Sequence, residues 1–551
     1  MAADISGLSG IGGGPPQPQD FLRAIDNAMR AGDSGRAMQI SAEAAKAGVE
    51  HPNVLMLAAY HFLNLNQPDK ALLCADRARD IAPRNPDILN VLGCAFTKLN
   101  RIEEALACFD AALRYAPGAF IIHFNKATAL EQSSDLKRAR QHFERALGLN
   151  PNHADSLTHL AHLASQRGDM GQAREYGARA LRLDPRQVYA LFALATADIS
   201  DKHYDKALAA LAPVARDPNA TPQARGVALN MMGDALDGMG RIDEAFAAYV
   251  QAGEFFHAMH APAFAERNAT AFTRRLITYF QQAPAEPWRN VAKGSFASPV
   301  RTHVFLVSFP RSGTTLLGQV LAAHADIETM EERGCLIDSH PCLADNETLD
   351  RLAGMNGADL DSLREAYWKR VGELWTTPTK PVFIDKLPLN TALLCLVAKL
   401  FPDAKILFAV RDPRDVVFSS FRRRFGMTQQ MFELLTLKGT AGYYDAVMQI
   451  ADVYREKLSL DRYDARYETL VNDFTAETKR LCAFLGIAHD PAMEEFAPKA
   501  KARHIDTPSA AQVAQGLFAH GIGQWRPYRQ QLSSVMPVLA PWVARFGYSA
   551  D

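Results

Sequence analysis

No apolar run in this sequence approaches the roughly 20 residues needed to cross a bilayer, so no helical membrane span is expected. Cysteine is scarce. The seven residues, at positions 74, 94, 108, 335, 342, 395 and 482, include no CxxC pair. That excludes a zinc ribbon and a disulfide scaffold. It fits a reducing compartment, so the cytoplasm is the expected location. Neither sign of charge is in excess: 60 Lys and Arg stand against 61 Asp and Glu, formally −1 over 551 residues. Such a chain has no general affinity for nucleic acid or a membrane surface, and any anion site must come from a local cluster. There is no HExxH and no Cys/His cluster to supply a metal, so none is expected. The first 19 residues, MAADISGLSGIGGGPPQPQ, lack the basic start and apolar core of a secretory signal. Their Gly, Pro and Gln content predicts a disordered leader. At 48% hydrophobic and 22% charged residues, the remainder has the composition of a globular protein.

What the chain does have is periodicity. Pro83, Pro117, Pro151 and Pro185 recur every 34 residues. So do Ala37, Ala71, Ala105, Ala139, Ala173 and Ala207, and so do Gly93, Ala127, Ala161 and Ala195. Gly233 and Ala245 belong to a final, shifted unit. Small residues at a fixed period mark the close crossing of two helices in a hairpin, and proline stops the second helix. Segments such as IEEALACFDAALRYAP are apolar on one helical face. The pattern resembles the tetratricopeptide repeat, whose A-x3-F element appears as Ala105/Phe109 and Ala139/Phe143. About seven units fit residues 20–260. An array of this kind is an all-α solenoid with a groove suited to a protein or peptide. Residues 261–300 read as a capping helix, FAERNATAFTRRLITYFQQ, followed by a Pro/Ala/Ser-rich linker.

Beyond residue 300 the period changes. HVFLVSF (303–309), PVFIDK (381–386), KILFAV (405–410) and DARYETL (464–470) read as buried strands, each followed by a helical segment. Strands alternating with helices predict a mostly parallel α/β sheet over 301–551, with ligands at the C-terminal strand ends. The first strand runs into FPRSGTTLL (309–317). There Gly313 permits close backbone approach, Thr314 and Thr315 open a helix, and Arg311 adds positive charge. The Walker A spacing and lysine are missing, which disfavours a nucleoside triphosphatase. The third strand ends at Arg411. Asp412 is the expected N-cap of the next helix, Pro413 its first residue, and Asp415 the partner in a capping box. Ser419 and Arg423 then share a helix face with spacing suited to a second phosphate.

These motifs together resemble sulfotransferases that use 3′-phosphoadenosine 5′-phosphosulfate (PAPS), especially tyrosylprotein sulfotransferases and bacterial relatives fused to tetratricopeptide repeats. The resemblance covers about 250 residues. It implies a P-loop-like domain with PAPS as co-substrate. FPRSGTTLL would be the 5′-phosphosulfate loop, with Arg311, Ser312, Gly313, Thr314 and Thr315 contacting the donor. Arg411, Ser419 and Arg423 would hold the 3′-phosphate, Tyr467 would lie near the adenosine, and Ser509 would come from a late serine loop. FIDKLPLN places Lys386 as the catalytic lysine, and MEERG places Glu332 as general base beside Glu331. Gln524 precedes Trp525 where the family often has lysine, and Arg526 follows it.

The implied activity is sulfuryl transfer to an acceptor hydroxyl, with protein tyrosine, a glycan or a small phenol as acceptor. Arg311 and Lys386 would stabilise the developing charge. Glu331, His324 and His340 are alternatives to Glu332 as base. A scaffold that binds nucleotide without turnover is the competing reading. The intact set Arg311, Glu332, Lys386, Arg411 and Ser419 favours the enzyme.

Overall fold

The computed structural model describes residues 16–264, 266, 268–292, 294–498 and 521–550. Most of the expected leader, and Ser509 with its loop, lie outside these residues. Within the 19 residues expected as a leader, a helix already begins at Pro18, where proline suits the first turn. The chain forms two compact units, residues 1–201 and 202–551. Helices of the repeat pattern therefore occur in both.

In the first unit, helices pair as hairpins: Pro18–Arg30 with Ser34–Lys46, Pro52–Asn64 with Pro68–Ile81, and Pro86–Lys98 with Ile102–Tyr115. Phe120–Gln132 pairs with Leu136–Leu149, and Ala154–Gln166 with Met170–Leu183, before the helix Val188–Ser200. The periodic alanines Ala37, Ala71, Ala105, Ala139 and Ala173 are fully buried. A further register appears at the turn inside each hairpin. Gly32, Asn66, Asn100, Ser134 and Gly168 all have positive φ, at 74°, 54°, 59°, 62° and 77°. These positions are again 34 apart, and Lys202 (φ 64°) continues the register into the second unit. A tight turn between antiparallel helices needs a left-handed residue, which Gly and Asn accept most readily.

The second unit opens with helix Tyr204–Arg216 and the hairpin Pro222–Gly238/Ile242–Phe264, followed by helix Ala269–Gln282. The segment expected to be a linker is anchored. Trp288 is 1% exposed and packs against Phe280 with the rings tilted at 58°, and Asp361 accepts the amides of Ser295 and Phe296. Five strands follow: β1 Thr302–Val307, β2 Ile327–Glu331, β3 Val382–Lys386, β4 Lys405–Val410 and β5 Asp461–Arg466. They form one parallel sheet in the order β2-β3-β1-β4-β5. Strand β2 was not expected. Its sequence, IETME, is too polar to read as a buried run, and it lies at a sheet edge. Strand β5 ends earlier than predicted, because Tyr467 starts the helix Tyr467–Asn472. Among the described residues, no helix is long and apolar enough to cross a membrane.

The sheet core contains one polar chain. His303 on β1 lies 3.1 Å from the Tyr367 hydroxyl, which donates to Asp385 Oδ2 on β3 at 2.9 Å. Burial pushes His303 down to about 3 and Asp385 up to about 7. A neutral imidazole donating through Nε2 fits this order of bonds.

Two predictions follow from packing. A Cβ on Gly93 would lie 2.6 Å from Phe109 Cε1, and Phe109 is fully buried. Gly93→Ala should therefore destabilise the chain by about 1–3 kcal/mol through overpacking. Gly148→Ala, where a Cβ meets nothing, should not destabilise it; thermal unfolding followed by circular dichroism separates the two. Asp385 has a folded pKa raised by burial to about 7. Its protonated form is favoured in the folded state, so its stability contribution is full below its unfolded pKa and is lost as pH rises through 7. Wild-type Tm should thus fall more between pH 5 and 8 than that of Asp385→Asn; parallel curves would refute the assignment.

Candidate active site at the strand ends

The C-terminal ends of all five strands carry residues singled out from the sequence. After β1 the chain turns through Phe309, Pro310, Arg311, Ser312 and Gly313 into the helix Thr314–Ala322. Gly313 caps that helix at φ 97°, and a Cβ there would lie 2.7 Å from Tyr467 Cδ2. Only glycine satisfies both the left-handed backbone and the approach of the tyrosine ring. Ser312, Thr314 and Thr315 are buried. The positive end of the helix dipole sits at this turn, a favourable place for an anion.

Six non-glycine residues among those described have positive φ. Four lie in the repeat register. The other two are Arg311 (69°) and Glu332 (44°), both candidate site residues. Backbone in this region is unfavourable for long side chains and persists where the surroundings enforce it.

At Glu332 the consequence is direct. Adjacent residues of a strand point to opposite faces. Here the Glu332 amide still donates to Lys386 O at 2.8 Å, but the left-handed backbone breaks the alternation. Both neighbouring carboxylates therefore meet one ammonium group. Lys386 Nζ lies 2.5 Å from Glu331 Oε2 and 2.7 Å from Glu332 Oε1. The lysine is completely buried, which pulls its pKa down, yet the two carboxylates outweigh burial and hold it above the ordinary lysine value. The carboxylates differ in setting. Glu331 also accepts from Gln319 Nε2 at 2.7 Å and its side chain is 12% exposed, whereas that of Glu332 is 35% exposed.

Arg411 follows β4. Its Nη1 donates to Arg311 O at 2.8 Å, its Nη2 to Gly521 O, and its guanidinium lies 5.0 Å from the centre of the Tyr467 ring. Ser419, 2% exposed, accepts from Arg311 Nε at 3.1 Å. Arg423 lies just past the end of the helix Pro413–Phe421, not on it, because a tighter turn closes from the Arg423 amide to Ser420 O. Burial, and then the charges of Arg423, Arg411 and Arg422, push Arg311 down to about 9. Burial is the larger cause, and the neighbouring guanidinium charges add to it. The Nε atoms of Arg411, Arg422 and Arg423 are buried with no hydrogen-bond acceptor among the described residues. Burial raises the Tyr467 pKa, opposed by Arg411.

Several expectations change. Asp412 is the helix N-cap, but Asp415 completes no capping box. Its carboxylate instead accepts the amides of Gly523 (2.7 Å) and Trp525 (3.0 Å), tying down the C-terminal segment. His324 is excluded as a base. It is 4% exposed, its Nδ1 accepts from the Asp326 amide, and its Nε2 lies 2.9 Å from Ala488 O, before β2 begins. His340 is on the short helix Ile337–Leu343 and is not bonded to the Lys386 group. Gln524 bonds Arg422 Nη2 at 2.6 Å, and Arg526 is exposed.

Sequence reasoning missed the second layer. Asp237 holds Arg422 Nη1 at 2.9 Å and Asp234 lies 3.4 Å from Arg423 Nη1; both belong to the helix Pro222–Gly238. Nothing in the repeat pattern distinguishes these aspartates from solvent-facing ones. Gln319 was likewise invisible, as a lone polar residue within the apolar stretch Leu316–Ala322 of its helix. Among the described residues, no three His, Cys, Asp or Glu side chains form a group that could hold a metal ion.

The arrangement agrees with what the chain is similar to. Residues 303–491 match the sulfotransferase family, and residues 90–154 and 154–187 match the tetratricopeptide repeat. An uncharacterized protein of Aquifex aeolicus is 24% identical over 357 residues, which is 61% of this chain and 44% of that protein. Protein-tyrosine sulfotransferase 1 of Danio rerio is 26% identical over 257 residues, 44% of this chain and 72% of the relative. The protein-tyrosine sulfotransferase of Drosophila melanogaster is 28% identical, over 40% of this chain and 46% of the relative. The chain thus spans less than half the length of the first and third of these relatives. A solved tetratricopeptide-repeat protein of Thermus thermophilus is similar at TM-score 0.29 and 22% identity, over 33% of this chain and 98% of that one. Helical repeats, a parallel sheet with its site at the strand ends, and these matched segments lead to one conclusion: the chain joins tetratricopeptide repeats to a domain of the sulfotransferase family.

Proposed function

We propose that the protein transfers a sulfuryl group from 3′-phosphoadenosine 5′-phosphosulfate to an acceptor hydroxyl. The observation that carries this reading is the joining, along one sheet edge, of a buried Lys386–carboxylate group and a cluster of four arginines, Arg311, Arg411, Arg422 and Arg423. A donor with an anionic group at each end suits that layout. Its 5′-phosphosulfate would lie on the turn at residues 312–315, and its 3′-phosphate among Arg411, Ser419 and Arg423. Tyr467 would border the adenosine. Ser509 is retained as a donor contact on the resemblance alone.

Chemistry then follows from charge. The more exposed carboxylate, Glu332, takes the proton from the acceptor hydroxyl as its oxygen bonds to sulfur. The bond from sulfur to the 5′-phosphate oxygen breaks, and 3′-phosphoadenosine 5′-phosphate leaves. Lys386 has three N–H donors, and two carboxylates engage it. The remaining donor, with Arg311, stabilises charge on the bridging and sulfuryl oxygens. Glu331, tied to Gln319 and Lys386, keeps the lysine paired. The mechanism needs no metal. Protein tyrosine is the favoured acceptor, because relatives bear that name and the repeats suit a polypeptide. The cytoplasm remains the proposed location, on cysteine usage.

The two glutamates should separate experimentally. Glu332→Gln should lower single-turnover sulfuryl transfer by about 10²–10⁴-fold, with a smaller fall in Tm than Glu331→Gln because its side chain is the more exposed of the two. Glu331→Gln should lower Tm, since it removes a partner from a buried charge. Near-normal turnover in Glu332→Gln would sink the assignment. For the donor site, calorimetry with 3′-phosphoadenosine 5′-phosphate should show binding by wild type that Arg411→Ala loses by at least tenfold; no binding by the folded wild type would remove the donor reading.

A further inference from the structure

The arginine cluster receives its counter-charges from an unexpected source. Arg311 comes from the turn after β1, Arg411 from the end of β4, and Arg422 and Arg423 from the end of the helix Pro413–Phe421. The carboxylates on Arg422 and Arg423 are Asp237 and Asp234, one helical turn apart on the helix Pro222–Gly238. That helix continues the repeat pattern but belongs to the same compact unit as the sheet.

The two ion pairs are not equivalent. Asp237 is locked from several sides. It accepts from Arg422 at 2.9 Å and from the Tyr528 hydroxyl at 2.6 Å, while Asn230 of the same helix donates to Arg422 O at 3.0 Å. Arg422 is 8% exposed and also holds Gln524. This is a closed structural joint. Asp234 is a looser partner. Its Oδ1 accepts from the buried Tyr249 hydroxyl at 2.9 Å, which fixes the carboxylate from behind. Its Oδ2 meets Arg423 only at 3.4 Å, and the Arg423 side chain is 29% exposed against 9% for Arg422. The Arg423 Nε is buried without an acceptor among the described residues. Thus Arg423 keeps a donor in reserve while a marginal ion pair balances its charge.

We infer that Asp234 is a stand-in anion for the second phosphate, a specificity-determining residue that sets how strongly the site prefers nucleotides with a 3′-phosphate. This rests on the donor reading above. When a 3′-phosphate approaches Arg423, it takes over the guanidinium and meets the Asp234 carboxylate at close range. Two anions then share one cation, and the carboxylate lowers the net gain. A nucleotide with only a 5′-phosphate leaves the Asp234–Arg423 pair undisturbed. Asp234 therefore acts on one ligand class and not on the other.

The test uses the full chain and two probes, 3′-phosphoadenosine 5′-phosphate and adenosine 5′-monophosphate, with affinities from calorimetry or competition. In Asp234→Asn, which retains Oδ1 as an acceptor for Tyr249, the bisphosphate should bind about three- to tenfold more tightly. The monophosphate should be unchanged. In an Arg423→Ala background the Asp234→Asn effect should vanish, because the two residues act as a pair. If wild type prefers the bisphosphate but Asp234→Asn leaves that preference unchanged, the inference is overturned and the donor reading stands. If the bisphosphate binds more weakly in Asp234→Asn, the aspartate positions Arg423 rather than competing, and the inference is again overturned. Equal shifts for both probes would mark a structural change and reject it too. If wild type shows no preference, both the donor reading and the inference fall.

Discussion

Removing an ammonium group from water costs several kcal/mol, and only well-placed counter-charges offset that penalty. Lys386 is fully buried at the end of β3, with one carboxylate from the end of β2 and a second from the residue after it. Much of the local backbone follows from this requirement. Edge strand β2 pairs Glu331 directly opposite Lys386. Glu332 adopts a left-handed conformation that returns its side chain to the same ammonium group. Gln319, on the helix after the β1 turn, holds the far oxygen of Glu331. One buried charge thus links two strands, a turn and a helix.

Across β1 the problem is again buried positive charge, with fewer carboxylates per cation. Four guanidinium groups converge, and three of them keep a buried Nε without an acceptor among the described residues. Like charges at close range are tolerated where an anion compensates them. Two carboxylates from the helix Pro222–Gly238 compensate part of the charge, and Asp415 ties the C-terminal segment beneath Arg411. The result is a polarised sheet edge, with the two carboxylates on Lys386 on one side and the arginine cluster on the other. A group transfer between a hydroxyl and a phosphate-linked donor needs that asymmetry.

The last helices of the repeat pattern have a double character. Their sequence carries the small residues of a helix crossing, and Gly233 does sit where a Cβ would strike Tyr249. Their outward carboxylates, however, serve the arginine cluster of the same unit. The periodic signal reports how two helices of a hairpin meet. It contains no information about what the opposite face of that hairpin touches.

Much of the architecture was legible because it rests on local rules. A 34-residue period of small residues specifies helix hairpins, since only Gly or Ala fits the crossing. Apolar runs followed by helical periodicity specify a parallel sheet, and site residues then fall at the strand ends. The turn FPRSGTTLL, Arg411 and Ser419 were found on that basis, and Lys386 through the family resemblance. Other features depended on contacts that no spacing encodes. β2 was hidden because an edge strand need not be apolar throughout. Asp415 looked like a capping residue, yet long-range amides from Gly523 and Trp525 claim its carboxylate. The sequence by itself determined the repeats, the α/β order and the chemical types available at the strand ends, because those follow from periodicity and turn chemistry. The tertiary structure alone decided which carboxylate is exposed, which is anchored, and which aspartates face the arginines, because burial and charge pairing arise only when distant segments meet.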